Sequence, residues 1–206
     1  MTIGIPSIAC GNFASVLNIV ARSGGAAAVL DRPEQVLDCK KVILPGVGAF
    51  DHGMRSLNEG GWTPVLHEFA IKQQRPILGI CLGMQLMCAG SEEGVLPGLG
   101  WIQAVVRRFQ LPPDSPLKVP HMGWNTIKVR RPNPLLSSED GEQRFYFVHS
   151  YHAVCRDEHD VIATTWHGAD VTVAFGRGNV MGVQFHPEKS HRFGLALMRR
   201  FVELPC

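Results

Sequence analysis

The sequence predicts an α/β fold: a doubly wound, mostly parallel central sheet flanked by helices, with antiparallel strands added to it. Three observations predict it. In the first half of the chain, short apolar runs alternate with helix-spaced apolar stripes. Residues 76–85 run from an apolar segment through Gly79-x-Cys81-x-Gly83 into helix-compatible residues, which reads as a strand turning sharply into a helix. In the second half, short strand-like runs follow one another with few helices between them.

Taken in order, residues 4–9 form the first apolar run, and Gly11-Asn12 is a turn signal. Phe13, Val16, Leu17 and Val20 then fall at i, i+3, i+4 and i+7, an amphipathic helix ending at Ser23-Gly24-Gly25. Residues 26–30 are a second strand, and Lys41-Val42-Ile43-Leu44 a third that stops at Pro45-Gly46-Val47-Gly48. Trp62, Val65, Leu66 and Phe69 mark another helical stripe before the strand that begins at Pro76. A β-α-β alternation of this kind places its site at the carboxyl ends of the parallel strands.

Pro112-Pro113-Asp114-Ser115-Pro116 and Arg131-Pro132-Asn133-Pro134 are loops. Strand-like runs cover residues 101–106, 126–129, 145–148, 161–165, 171–175 and 180–185. Residues 190–201 close the chain as a helix, with Ser190 as N-cap and Phe193, Leu195, Leu197, Met198 and Phe201 as its apolar set.

The 206 residues, 45% of them hydrophobic, suit one domain spanning 1–206 and a substantial core. No repeat or low-complexity segment interrupts them. No apolar stretch approaches a membrane span, and no basic region with an apolar run and cleavage site opens the chain, so a cytoplasmic protein is expected. Cysteines at 10, 39, 81, 88, 155 and 206 form no Cys-x-x-Cys pair and no zinc-spaced cluster with His. Reduced thiols follow, with no disulfide framework, metal or cofactor. A net charge of +2, with arginines paired at 107–108, 130–131 and 199–200 rather than striped, points away from nucleic acid.

The Gly79-x-Cys81-x-Gly83 turn is the thiol form of a nucleophile elbow. Its glycines leave room for a tight turn against neighbouring backbone. A thiolate at a helix start sits near unpaired N–H groups, which lowers its pKa, and the Leu82 N–H points where a carbonyl oxygen would become negative. By pattern alone, Cys81 is either this nucleophile or a buried small hydrophobe.

A nucleophilic thiol needs a base, an orienter and a second oxyanion donor. His186-Pro187-Glu188 follows a strand. In extended backbone, which Pro187 favours at His186, residues two apart face the same way, so Glu188 can hold His186. Pro45-Gly46-Val47-Gly48 can bring backbone N–H groups close to a ligand, or it is a plain strand-to-helix turn. It is not followed by the Gly-Lys-Ser/Thr of a phosphate loop.

This set, in this order, resembles the class I glutamine amidotransferases. The likeness sharpens with Pro45-Gly46-Val47-Gly48-Ala49-Phe50, Pro120-His121-Met122-Gly123-Trp124-Asn125, Phe147-Val148-His149-Ser150-Tyr151 and Gln184-Phe185-His186-Pro187-Glu188-Lys189-Ser190. Together these resemble the glutaminase subunits of imidazole glycerol phosphate synthase, over nearly the whole chain.

The resemblance implies a class I glutamine amidotransferase-like fold and a Cys81, His186, Glu188 triad that hydrolyses L-glutamine through a thioester. It implies oxyanion donors at Leu82 and at Val47 or Gly48. Gln85 and Glu93 would hold the amino-acid end of glutamine, with Gly48, His149, Ser150 and Tyr151 lining the pocket. It implies transfer of ammonia to a (β/α)₈ synthase subunit in a heterodimer, with Asn12, Met122, Trp124 and Lys189 facing that partner. His121, His152, His159, His167 and His191 have no partner that spacing reveals and read as structural or surface. One stretch departs: the family usually opens Asp-Tyr-Gly-x-Gly-Asn-Leu where this chain has Ser7-Ile8-Ala9-Cys10-Gly11-Asn12-Phe13. That leaves open a paralogue supplying ammonia for sugar amidation in surface-polysaccharide synthesis, a non-catalytic regulatory module that kept the fold, and a standalone thiol hydrolase.

Overall fold

The computed structural model describes residues 2–8 and 12–205. The expected turn at Gly11, with Ala9, Cys10 and Cys206, lies outside them. The first half gives β1 (Ile3–Pro6), α1 (Phe13–Arg22), β2 (Ala27–Leu30), β3 (Lys41–Gly46), α2 (Phe50–Glu59), α3 (Trp62–His67), β4 (Ile77–Cys81), α4 (Leu82–Leu86) and β5 (Gly90–Ser91). The second gives β6 (Ala104–Arg108), β7 (His121–Val129), β8 (Gln143–His149), β9 (Tyr151–Cys155), β10 (Val161–Trp166), β11 (Asp170–Arg177), β12 (Val180–Val183) and α5 (His191–Glu203).

One sheet carries the fold, in the order β2-β1-β3-β4-β12-β11-β10-β7-β8. β2, β1, β3, β4 and β12 run parallel to one another, and pairing is antiparallel from the β12–β11 pair onward to β8. β9 joins β11 to β6, and β5 pairs with β6. The expected α/β architecture, with its antiparallel additions, is the one observed.

The inner parallel strands β1, β3, β4 and β12 are buried along their whole length because helices cover both faces, while the edge strand β2 is only partly covered. Side chains therefore alternate between two cores. Val42 and Leu44 point into one with Phe50, Leu57, Trp62 and Phe69, and Ile43 points into the other with Val16, Val20, Leu197 and Phe201. In β8 the alternation leaves one face buried, with Phe145, Phe147 and His149 inward. The Asn12 side chain accepts the Ser15 N–H and starts α1.

Several boundaries differ from expectation. The sequence pattern does not predict α2, although Phe50, Met54 and Leu57 form a buried stripe; Gly53 and the polar residues around it mask that stripe. Residues 101–103 bend, and the strand starts at Ala104. β7 begins five residues before the expected run at 126, and β9 is an addition to the expected strands. β12 ends at Val183, so Gln184 and Phe185 leave the strand. Ser190 precedes α5 but its side chain does not cap it. The hydroxyl accepts the Tyr146 N–H at 3.0 Å and donates to the His186 carbonyl at 2.6 Å, a stronger claim on a fully buried group.

Candidate active site

β4 delivers Cys81 to the carboxyl end of the parallel strands, and α4 begins at the next residue. The nucleophile candidate pays for that turn in backbone strain: Cys81 has φ +54°. The glycines around it are steric requirements. A Cβ on Gly83 would overlap the Leu44 carbonyl oxygen, and one on Gly79 would lie 2.7 Å from the Gly83 oxygen. A Cβ on Gly46, which pairs with Cys81 across β3 and β4, would lie 2.9 Å from the Gly83 nitrogen. Gly48 has open space around it, but its φ of +97° suits glycine.

His186 reaches the same point from the end of β12. Its N–H donates to the Tyr146 carbonyl at 3.0 Å and its carbonyl accepts from Ser190, so β8 and the start of α5 hold its backbone. Nδ1 lies 2.7 Å from Glu188 Oε1. His186 itself is extended, as expected, but the route to the contact differs beyond it: residues 187–189 form a 3₁₀ turn, which folds the carboxylate back under the ring.

His186 Nε2 is shut off from solvent and makes no hydrogen bond of regular geometry. The Cys81 thiol interacts with the ring, at a geometry looser than a formed bond, as is common before substrate draws such groups together. Burial would lower the His186 pKa, but the interactions with Cys81 and Glu188 outweigh it and raise it to about 9.

Cys81 and His186 open onto a cavity of about 510 Å³. Val47, Gly48, Leu82, Gln85, Glu93, His149, Ser150, Tyr151 and Lys189 line it with them. Glu188 stands behind His186 and is not part of the lining. Asn12, Met122 and Trp124 lie outside the cavity; Met122 and Trp124 are exposed on β7. A second cavity, of about 560 Å³, is bounded by Arg130, Arg131, Glu158, His159, Thr164 and Thr172, with no cysteine in its lining.

Two lining residues have part of their capacity engaged. Gln85 Nε2 donates to the Tyr151 carbonyl (3.1 Å) and to Gln184 Oε1 (2.9 Å), which leaves its Oε1 for a ligand. Glu93 Oε2 accepts the Phe50 N–H at 2.8 Å, at the start of α2.

Sequence reasoning assigned no role to Gln184 or Asp51. Gln184 is fully buried, and its Nε2 lies 3.7 Å from Cys81 Sγ. A polar residue ending an apolar strand two positions before His186 was the available signal. Asp51 accepts the Val95 and Leu96 N–H groups and so ties the segment carrying Glu93 to α2. Among the histidines read as structural or surface, His159 is exposed beside Asp157 and His191 stacks on Trp124. His121, His152 and His167 instead gather with His149 around Phe109.

No group of described residues has the makings of a metal site, and no described helix is long and apolar enough to cross a membrane.

Residues 28–204 match the family model of class-I glutamine amidotransferases. A protein of Pseudomonas aeruginosa named imidazole glycerol phosphate synthase subunit HisH 2 is 47% identical over 194 residues, 94% of this chain and 95% of that one. A HisH 2 of Methanococcus maripaludis is 43% identical, covering 98% of each chain. A HisH of Leptospira interrogans is 41% identical over 98% of this chain and 100% of its own. Among solved structures, a chain of PurLQS from Thermotoga maritima superposes with a TM-score of 0.72 at 16% identity, covering 97% of this chain and 95% of its own. A glutamine amidotransferase superposes at 0.68 and 22% identity, covering 95% and 98%. These two speak for the fold.

Proposed function

This chain belongs to the class-I glutamine amidotransferases, and from that membership we propose that it is the glutaminase subunit of imidazole glycerol phosphate synthase, in the branch of its HisH relatives. The observation that carries the reading is the meeting of the strained Cys81 elbow and the Glu188-held His186 at the mouth of one cavity.

In this reading L-glutamine enters that cavity. Gln85 Oε1 and Glu93 receive its α-ammonium, and the His149–Tyr151 wall holds the chain. The Cys81 thiolate bonds to the side-chain amide carbon. The carbonyl oxygen takes the negative charge beside the N–H groups of Leu82 and of Val47 or Gly48. His186, held protonated by Cys81 and Glu188, gives its proton to the amide nitrogen, and the carbon–nitrogen bond breaks to release ammonia. Water then adds to the thioester and yields a proton to His186. The carbon–sulfur bond breaks, and glutamate leaves with the thiolate restored.

The ammonia passes to a (β/α)₈ synthase subunit in a cytoplasmic heterodimer, with exposed Met122 and Trp124, Asn12 and Lys189 on the partner's side. Cys39, Cys81, Cys88 and Cys155 are free thiols, in keeping with a reducing compartment. A paralogue serving sugar amidation is the second reading. It is favoured by the departure at residues 7–13 and by relatives that are themselves numbered copies.

The test is glutamate release from glutamine by the chain with its co-purifying synthase. Cys81→Ala abolishes it on this reading; unchanged hydrolysis overturns it and leaves the non-catalytic module. Full activity of the chain alone points to the standalone hydrolase. Rescue of a histidine auxotroph separates the histidine-pathway role from the paralogue.

A further inference from the structure

One chain of hydrogen bonds runs from β7 to the thiol. Asn125 Nδ2 lies 3.1 Å from His121 Nε2, and His121 Nδ1 lies 3.0 Å from His149 Nε2. His149 Nδ1 lies 2.8 Å from the Tyr151 carbonyl oxygen. That oxygen also accepts Gln85 Nε2, which donates to Gln184, whose own amide reaches Cys81 Sγ.

Both ends of the chain are fixed independently, so every proton in it can be assigned. A carbonyl only accepts, so His149 Nδ1 carries hydrogen. Asn125 Nδ2 also donates to the Trp166 carbonyl (3.0 Å), and its Oδ1 accepts the Thr126 N–H (2.8 Å). The amide therefore cannot flip, and it presents N–H to His121 Nε2, which must be bare. His121 Nδ1 then carries hydrogen and donates to a bare His149 Nε2. Protonating either ring would set two donors face to face. Both histidines are consequently neutral and each is held as its Nδ1–H tautomer.

We propose that His121 and Asn125 are positioning residues for the glutamine pocket: through this chain they hold the His149 tautomer, and with it the Tyr151 carbonyl and the Gln85 amide beside Cys81. The proposal rests on reading the cavity as the glutamine site. Without the His121 donor, only the Tyr151 carbonyl still favours hydrogen on Nδ1 and the buried Nε2 is left unmet, so a fraction of His149 can place its hydrogen on Nε2. Its bare Nδ1 would then face the Tyr151 oxygen at 2.8 Å, two acceptors in contact, and that carbonyl would swing away from Gln85. Neither His121 nor Asn125 lines the cavity, so the effect reaches the substrate only through the wall.

The test compares two Cys81 reagents on the chain in complex with its co-purifying synthase, with alkylation read at the Cys81 peptide. 6-Diazo-5-oxo-L-norleucine, a diazoketone analogue of glutamine, must occupy the pocket; iodoacetamide need not. His121→Phe keeps an aromatic ring but no donor, whereas His121→Asn keeps a donor at the Nδ1 position. We expect His121→Phe to raise the half-saturating diazoketone concentration roughly fivefold to tenfold, the scale of one lost hydrogen bond. The iodoacetamide rate should stay within about twofold, and His121→Asn should recover most of the loss. Imidazole nitrogen NMR should show the His149 Nδ1–H tautomer in the parent and a mixture in His121→Phe. Asn125→Leu serves if His121→Phe does not fold, with the same NMR readout. An unchanged half-saturation, equal losses in the Phe and Asn variants, or an unaltered His149 tautomer overturns the proposal. If the parent reacts with iodoacetamide but not with the diazoketone, the glutamine reading fails instead, and the NMR arm still decides the hydrogen-bond chain.

Discussion

His186 Nδ1 lies 2.7 Å from Glu188 Oε1, with only 3% and 4% of the two side chains exposed. A carboxylate this close and this dry stabilises the charged ring, and with Cys81 it raises the His186 pKa from 6.5 to about 9 against the opposing effect of burial.

Glu188→Gln should therefore return that pKa toward its usual value, read by NMR titration of the ring. General acid–base catalysis contributes about 10² to 10⁴ in rate, so kcat should fall by about 10²-fold or more with KM little changed. A change confined to KM contradicts the role. Linkage adds a sign. The folded pKa is the raised one, so this stabilisation is complete below 6.5 and is lost as the pH rises through about 9. The melting temperature of the parent should decline across that window, and that of Glu188→Gln should decline less.

The elbow glycines separate space from conformation. Gly83→Ala drives a Cβ into the Leu44 carbonyl, a backbone atom that cannot move aside, and should cost about 3 kcal/mol or prevent folding. Gly48→Ala meets no atom but must hold φ +97°, which costs about 1–3 kcal/mol of strain. It should fold and lose glutaminase activity as the 47–48 peptide shifts. Urea denaturation of both variants checks the order; equal stabilities would contradict it.

Gln184→Leu removes the acceptor of the Gln85 amide and the donor to Cys81. An unmet buried amide costs about 1–3 kcal/mol in denaturant unfolding. The thiolate also loses a hydrogen bond, so iodoacetamide should alkylate Cys81 several-fold more slowly at neutral pH. In the parent, Cys81 should react before Cys88 and Cys155, whose thiols burial pushes up, that of Cys155 to about 12. Unchanged alkylation in Gln184→Leu would remove Gln184 from the thiol's environment.

Acid should loosen the histidine cluster. Burial, reinforced by the neighbouring histidines, holds His121 at about 4 and His149 at about 3, against 6.5 for an ordinary ring. His152 is also lowered, chiefly by burial, with the Ala153 backbone and Glu92 opposing, and His167 faces His121. Below 6.5 the unfolded chain binds protons that the folded chain refuses. Stability is full above that value and drops as the pH falls toward about 4. Thermal denaturation from pH 7 to 4 should show the decline, with a shallower slope in His121→Phe. A flat parent profile would mean that the rings charge within the fold.

Much of the fold was legible because its signals are local. Apolar runs bounded by Gly and Pro, and stripes at 3.6 spacing, located most of β1 to β4 and α1, α3 and α5. Gly79-x-Cys81-x-Gly83 announced its own turn by pattern; the contact that demands Gly79 lies within the turn, whereas the one that demands Gly83 comes from Leu44 on β3. What weakened the reading was also local: α2 carries too little helix propensity around Gly53 to declare itself, and β9 is short and polar-edged.

The sequence by itself determined the α/β class, most of the strands and helices of the first half, the elbow at Cys81, and the pairing of His186 with a carboxylate two residues on. Only the tertiary structure decided the form of that pairing, a 3₁₀ turn, because Ser190 is drawn into the core to bind His186 and Tyr146. Only it joined Gln184 to Cys81, Asn125 to His121 and His121 to His149, across separations of 103, 4 and 28 residues. Periodicity reports which face of an element is apolar. It does not report which buried polar atoms meet, and that depends on sheet order and register, which chain-local patterns leave open.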